Sequence, residues 1–358
     1  MESVVKVELS FFKDKKVFVT GHTGFKGTWL CHMLVEAGAI VTGYALEPPT
    51  QPSLFELTGV KSNICSVIGD IRDYDFLYET FMKTKPDIVI HLAAQPIVLT
   101  GYKNPRETYE TNVMGTVNIL ECVRLSGCVR SFLNVTTDKV YQNNEWVWGY
   151  RESDVLNGYD PYSNSKSCSE LVTESYKNAF FPEASITAIS TARAGNVIGG
   201  GDFAKDRIIP DCVRAAIEGK QIIIRNPASI RPYQHVLEPL FAYLTITSKQ
   251  YEDGKLAGNY NVGPDEPDCI TTKQLVDLFC EYWGNGLSAK LEVQPNAPHE
   301  AGFLKLDCSK IKSILGWKPR WHIDQAIEKT IELTRTIQNS EDIAKAMNRQ
   351  IKIYLEDE

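Results

Sequence analysis

Lys16-Val17-Phe18-Val19-Thr20-Gly21-His22-Thr23-Gly24-Phe25-Lys26-Gly27 decides how this chain folds. Its first five residues read as a short apolar strand, and three glycines follow at every third position. Behind them Leu30, Met33, Leu34 and Ala37 recur at helical spacing as far as Gly38, and Ile40 to Tyr44 reads as the next strand. Strand, glycine loop, helix and strand in that order form a dinucleotide-binding pattern. The glycines allow a tight turn and let backbone approach a pyrophosphate at the positive end of the helix. Gly21, His22, Thr23, Gly24, Phe25, Lys26 and Gly27 are therefore candidate cofactor contacts. His22 stands where a small residue is usual, so its ring must turn away from the phosphates or touch them. The second strand ends Gly43-Tyr44-Ala45-Leu46, with no carboxylate for ribose hydroxyls and no Arg cluster for a 2′-phosphate. The balance favours NAD over NADP.

Outward from this unit the α/β alternation continues, which predicts a doubly wound parallel sheet of Rossmann type. Ile64 to Gly69 reads as a strand ending at Asp70-Ile71, where a carboxylate and a backbone amide meet an adenine. Asp73 to Lys85 reads as a helix, and Asp87 to Leu92 as a buried strand running into Ala93-Ala94-Gln95. Small residues at the carboxyl end of such a strand leave room for a flat ring, and equally for tight helix packing. Asn104 to Ser126 reads as one long helix whose Asn112 braces a neighbouring strand. Ser131 to Val135 and Ile186 to Thr191 are further strands.

Between those last two strands lies the stretch that carries chemistry. Val135-Thr136-Thr137-Asp138-Lys139-Val140-Tyr141 runs a strand out into polar residues. Tyr159-Asp160-Pro161-Tyr162-Ser163-Asn164-Ser165-Lys166 opens a helix, with Asp160 as cap and Pro161 in the first turn. Tyr162 and Lys166 share one helix face. An ammonium beside a phenol lowers its pKa and suits it to act as a base. Alone, such a pair is ordinary helix surface; the glycine loop upstream and the Thr137-Asp138-Lys139 strand end are what give it meaning.

From Arg193 the texture changes. Residues 193–202 read as a loop, Arg207 to Gly219 as a helix entry and helix, and 226–236 as extended chain. Arg207 and Arg231 sit among glycines and prolines on expected loops, where guanidinium forks suit a diphosphate or simply face water. Asn259 to Gly263 reads as a strand, Thr272 to Trp283 as a helix, Ile311 to Trp317 as a helix closing on glycine, and the end from Asp324 as amphipathic helix. The expected organisation is an NAD-binding domain over 1–192, receiving one strand from about 229–262, and a smaller α/β substrate domain over 193–358.

The 358 residues are 43% hydrophobic and 23% charged, with a net charge of −7, ordinary for a soluble globular chain. That balance speaks against nucleic acid or an acidic membrane as partner. Nine Cys lack metal-ligand spacing, Cys122 and Cys128 being the closest pair, so reduced cytoplasmic thiols and no metal are expected. No apolar run approaches the roughly 20 residues that span a bilayer.

Taken together, Gly-x-x-Gly-x-x-Gly, Leu92-Ala93-Ala94-Gln95, Thr137-Asp138-Lys139, Tyr162-x-x-x-Lys166 and Arg193-x-Gly-Asn196-Val resemble the extended short-chain dehydrogenase/reductase superfamily, in its branch acting on nucleotide sugars. The resemblance covers nearly the whole chain. Within that branch most 4,6-dehydratases carry Thr-Asp-Glu at the strand end. Lys139 in the Glu position, together with the Gly-His-Thr-Gly-Phe-Lys-Gly loop, is most similar to the dehydratases of CDP-glucose. The resemblance implies oxidation of the sugar at C4 with NAD, water loss across C5 and C6, and hydride return to C6. It implies Thr137, Asp138, Lys139, Tyr162 and Lys166 as catalytic residues. Asp70, Ile71, Leu92, Ala93, Ala94, Gln95, Asn112, Tyr162 and Lys166 join the glycine loop around NAD. Gln95, Thr137, Asn196, Arg207 and Arg231 hold the nucleotide sugar. It further implies a homo-oligomer, dimer or tetramer, paired through the helices from Asn104 and Tyr162, and a place in deoxysugar synthesis for surface polysaccharide such as lipopolysaccharide O-antigen. A nucleotide-sugar epimerase, which has no water to eliminate, and a non-catalytic NAD-sensing protein are the competing readings.

Overall fold

The structure, a computed structural model, describes residues 9–182, 185–292 and 302–357. Seven parallel strands make the central sheet: β1 (Lys16–Thr20), β2 (Ile40–Ala45), β3 (Cys65–Ile68), β4 (Ile88–His91), β5 (Ser131–Val135), β6 (Ala188–Ala194) and β7 (Asn259–Val262). Their spatial order is β7-β6-β5-β4-β1-β2-β3. The direction of winding reverses between β1 and β4, where Thr20 pairs with His91. That reversal opens a crevice at the carboxyl ends of the strands. Every residue of β4, β5 and β6 is buried, as expected of strands covered on both faces.

One face is covered by α1 (Phe25–Glu36) and by the helix Leu237–Glu252, whose Leu240, Tyr243 and Leu244 join Trp29, Leu30 and Ile90 in one core. The other face carries the helices Tyr74–Thr84 and Gly115–Ser126, with Phe81, Ile119 and Leu120 packed against Phe18 and Phe132. A third core, built from Ile209, Cys212, Ile222, Phe279, Trp283 and Ile327, lies wholly in the C-terminal half. The fold expectation is met, and β7 forms one edge of the sheet.

Three expectations differ from the structure. Arg193 and Ala194 belong to β6 rather than to a loop, because the pairing with β7 runs on to Val262 opposite Ala194. The expected Asn104–Ser126 helix is α-helical over Pro105–Tyr109 and Gly115–Ser126 with a π turn at Glu110–Met114 between them. Arg231 lies in the strand Ile230–Pro232, paired antiparallel with Cys269–Thr271, and is 2% exposed. Phe12 is fully buried, and Phe11 meets the Tyr251 ring edge-on at 5.3 Å. All nine cysteines are free thiols, and among the described residues no helix is long and apolar enough to cross a membrane.

Candidate active site

The glycine loop is wound so tightly that two of its glycines are forced by the chain itself. A Cβ on Gly21 (φ +76°) would lie 2.8 Å from the Ala93 amide nitrogen, and one on Gly27 only 2.1 Å from the Gly21 carbonyl oxygen. A Cβ on Gly24 would meet nothing nearer than that same oxygen at 3.4 Å. Protein atoms therefore do not require glycine at position 24. Gly24 is the N-cap of α1 and supplies no side chain to its free amides. Uncapped amides beside open space fit the pyrophosphate of a dinucleotide. His22 answers the question its position raised. Its ring is buried, sits where a Cβ of Gly43 would be, and bonds Ser66 Oγ through Nε2 at 2.7 Å. Burial pushes its pKa down to about 4. Only the backbone of His22 is left for a ligand.

Thr23 donates to the Leu46 carbonyl at 2.8 Å, tying the loop to the tip of β2. Thr20 Oγ1 accepts from the amides of Leu92 (3.0 Å) and Ala93 (3.1 Å), and so fixes the turn that leads to Ala94. Gln95 is held by its neighbours. Its amide donates to Asn112 Oδ1 at 2.8 Å, and its side chain spans Thr108 and the Ile97 amide. Asn112, in the π turn, also donates to the Gln95 carbonyl at 3.1 Å and to Ser165 at 2.8 Å, so it braces the turn beyond β4 and a helix rather than the backbone of a strand. Asp70 is gripped by Arg72 at 2.6 Å, which holds its carboxyl below the usual range. Ile71 is buried against Gly115, and its carbonyl accepts from Asn118.

Beyond the strand ends a cavity of about 710 Å³ is lined by Lys26, Thr137, Asp138, Lys139 and Tyr162 together with Asn196, Arg207 and Arg231. Tyr162 sits in the first turn of the helix Pro161–Phe180, capped by Asp160 through the amides of Tyr162 (3.0 Å) and Ser163 (3.1 Å). One turn on, Lys166 Nζ donates to the Val135 carbonyl at 3.1 Å. Asp138 is 1% exposed; its Oδ1 accepts from Thr137 at 2.9 Å, and its buried Oδ2 has no partner among the described residues. Arg207 is paired with Asp202 at 2.9 Å, and Arg231 donates to the Ile230 carbonyl.

A model of the GDP-mannose 4,6 dehydratase family matches residues 18–330. The chain belongs to that family.

Within it, the chain is 48% identical over 354 residues to the CDP-glucose 4,6-dehydratase of Salmonella typhimurium, covering 98% of each chain. Among solved structures, the dTDP-glucose 4,6-dehydratase of Bacillus anthracis in complex with NAD superposes with a TM-score of 0.75 at 20% identity, over 92% of this chain and 99% of that one. A UDP-glucose 4-epimerase from Thermotoga maritima with UDP-glucose reaches 0.78 at 22%, over 90% and 99%. At those identities the two structures share the fold alone. Membership makes the chain a nucleotide-sugar 4,6-dehydratase, a hydro-lyase.

The electrostatics of this dehydratase site differ from the expectation in one respect. Burial pushes the Tyr162 phenol up to about 12, with its hydrogen bond to Thr137 pulling the other way. In the protein alone the phenol thus stands above its ordinary value rather than below it. Burial and the neighbouring Lys26 bring Lys166 itself down to about 8, and its ammonium faces the Val135 carbonyl. Lys26 is also brought to about 8, by desolvation and then by Arg207. Two ammonium groups held this way are suited to an anionic partner. Burial raises the Asp138 carboxyl, against the pull of Lys139, Thr137, Arg231 and Lys26.

Two features of the site escaped sequence reasoning. Glu170 and Arg193 form an ion pair at 3.0 Å with both side chains 1% exposed, directly behind Thr136. Glu170 follows Lys166 by one helical turn, and that spacing is the signal that was available. His235, within the stretch 226–236 expected as extended chain, is core: fully buried, 4.8 Å from the Trp321 ring and shifted by burial to about 3. His91 belongs to the packing of β4, bonded to Thr20 at 2.7 Å.

Proposed function

We propose that the chain converts CDP-glucose to CDP-4-keto-6-deoxyglucose and water. One observation carries the reading: Thr137, Asp138, Lys139 and Tyr162 line a single cavity, with one carboxyl oxygen of Asp138 buried and unpartnered. The likeness to the Salmonella typhimurium enzyme supports CDP as the nucleotide. Bound NAD would supply the hydride chemistry, taking hydride from C4 and giving it back at C6. Gly21 to Gly27 with Leu92, Ala93, Ala94, Asp70 and Ile71 would hold it, and the fit of open space at Gly24 to a pyrophosphate supports this.

The chain's own residues do the rest. Thr137 holds the C4 hydroxyl and Tyr162 removes its proton. Lys166 and Lys26 bring positive charge to the side where the cofactor enters. The ketone at C4 acidifies the C5 proton, which Lys139 removes while Asp138 protonates the departing C6 hydroxyl, and Lys139 gives the proton back to C5 when C6 regains hydride. An exposed Asp–Lys pair would rest as two ions, useless as acid and base. Desolvation penalises the separated charges, so closing the cavity over a sugar drives the proton from Lys139 to Asp138, and the two titrate as one pair. The raised Asp138 carboxyl already leans that way. Asn196, Arg207 and Arg231 line the same cavity and would hold the diphosphate. Gln95 positions backbone rather than reaching the sugar, since both ends of its amide are engaged.

We also place residues 1–192 with β7 as the NAD-binding part and 193–358 mainly as the substrate part. The enzyme works as a cytoplasmic homo-oligomer in deoxysugar synthesis for surface polysaccharide. Exposed Met114, Leu125, Leu171 and Phe180 on the helices named for pairing support the oligomer. Incubation with CDP-, dTDP-, GDP- and UDP-glucose, with and without added NAD, tests the function. CDP-glucose alone losing the mass of one water supports it; conversion of CDP-glucose to an isomer of unchanged mass rejects it.

A further inference from the structure

The mechanism leaves the Glu170–Arg193 pair without a task. Two full charges at 1% exposure are costly to bury, and an apolar pair of similar volume would often serve stability as well. What distinguishes this pair is where its bonds go. Glu170 accepts from Thr136 Oγ1 at 2.5 Å, from Thr191 Oγ1 at 2.7 Å and from Arg193 at 3.0 Å. Arg193 donates through its other nitrogen to the Tyr141 hydroxyl at 2.9 Å, and that hydroxyl donates to Asn261 Oδ1 at 2.6 Å. Thr136 and Tyr141 flank Thr137-Asp138-Lys139 on its two sides. Ser167, on the helix that carries Tyr162 and Lys166, donates to the Val140 carbonyl at 2.7 Å. The acid–base segment is thus clamped at both ends, while Asp138 and Lys139 between the clamps line the cavity.

We propose that the Glu170–Arg193 pair, acting through Thr136 and Tyr141, is the positioning device of the elimination step. These four are positioning residues; of them only Thr136 lines the cavity. The inference rests on the dehydratase reading above, and it separates the two halves of that reaction. Tyr162 has a hold of its own at the start of that helix, the Asp160 cap. Loosening the clamp therefore displaces Asp138 and Lys139, with Thr137 beside them, more than it displaces Tyr162, and slows elimination more than C4 oxidation.

Tyr141→Phe removes one hydroxyl and keeps a ring stacked on Tyr150 at 5.2 Å. Thr136→Val removes the other link at nearly constant shape, and reads the same effect should the first variant fail to fold. Each variant is compared with the parent on substrate deuterated at C4 or at C5. The expected result is a kcat lower by roughly tenfold to a hundredfold with KM unchanged. The C5 isotope effect on kcat grows and the C4 effect vanishes. Parent-like kcat in both variants overturns the proposal, as does a loss in which KM rises or the C5 effect stays silent. A parent that releases no water from any nucleotide-linked glucose brings down the dehydratase reading itself, and this inference with it.

Discussion

Asp138 and Lys139 are adjacent in the chain and differ in surroundings. The carboxyl is buried and pushed upward, while the lysine side chain lines the open cavity. An acid that keeps its proton above the usual carboxylate range is what a poor leaving group such as hydroxide needs. Asp138→Asn should lower kcat by about 10²–10⁴, measured as product formation on CDP-glucose. The parent's alkaline loss of activity, which sets in as pH rises through the raised Asp138 pKa, should be absent from any residual rate. Tyr162 carries a prediction of its own. With its phenol at about 12 in the protein alone, ultraviolet titration up to the ordinary tyrosine value of 10 should show no phenolate that Tyr162→Phe removes. Phenolate appearing near neutrality would mean that Lys166 lowers the Tyr162 pKa without help from a ligand.

At the scale of elements, the glycine loop separates two roles that its sequence presents as one. Gly27→Ala forces a methyl to within 2.1 Å of backbone and should cost about 1–3 kcal/mol or more in urea unfolding. Gly24→Ala should fold with parent stability and bind NAD at least about tenfold more weakly, since the space it fills is the ligand's. Both variants behaving alike would remove the assignment. Most elements could be read from the sequence because each carried its own punctuation: Gly38 at φ +78° and Gly316 at φ +69° end helices, and Asp160 caps one. The helix Leu237–Glu252 could not, because thirteen of its residues are buried and a helix apolar all round has no periodic face to betray it. The π turn at Glu110–Met114 was equally silent. Its cause is tertiary, since Asn112 there must meet both Gln95 and Ser165.

At the scale of the molecule, the C-terminal helix Ile343–Glu356 is tied to the body through Glu238. That carboxyl accepts from the amides of Arg320 (3.1 Å) and Trp321 (2.7 Å) and from the Tyr354 hydroxyl (2.6 Å). Burial outweighs these bonds and pushes Glu238 from its ordinary 4.5 up to about 7. The folded protein then holds this proton more tightly than the unfolded chain. Its contribution is fully present below 4.5 and is lost as pH rises through about 7. The loss should be on the order of 2–3 kcal/mol, read from unfolding free energies across that range, and Glu238→Gln should flatten the slope. The distribution of the site across the molecule also explains what the sequence hid. Thr137, Asp138, Lys139, Tyr162 and Lys166 fall within one stretch and could be read together. Arg193, Tyr141 and Asn261 meet only because β5, β6 and β7 are neighbours in the sheet.

The account stands on Asp138 and Lys139 removing water from an oxidised sugar, and Lys139→Ala tests that most directly. The variant, presented with CDP-4-ketoglucose already formed, should lose the elimination that the parent performs, leaving the nucleotide sugar at its full mass. Water loss from that ketone at the parent rate would contradict the account.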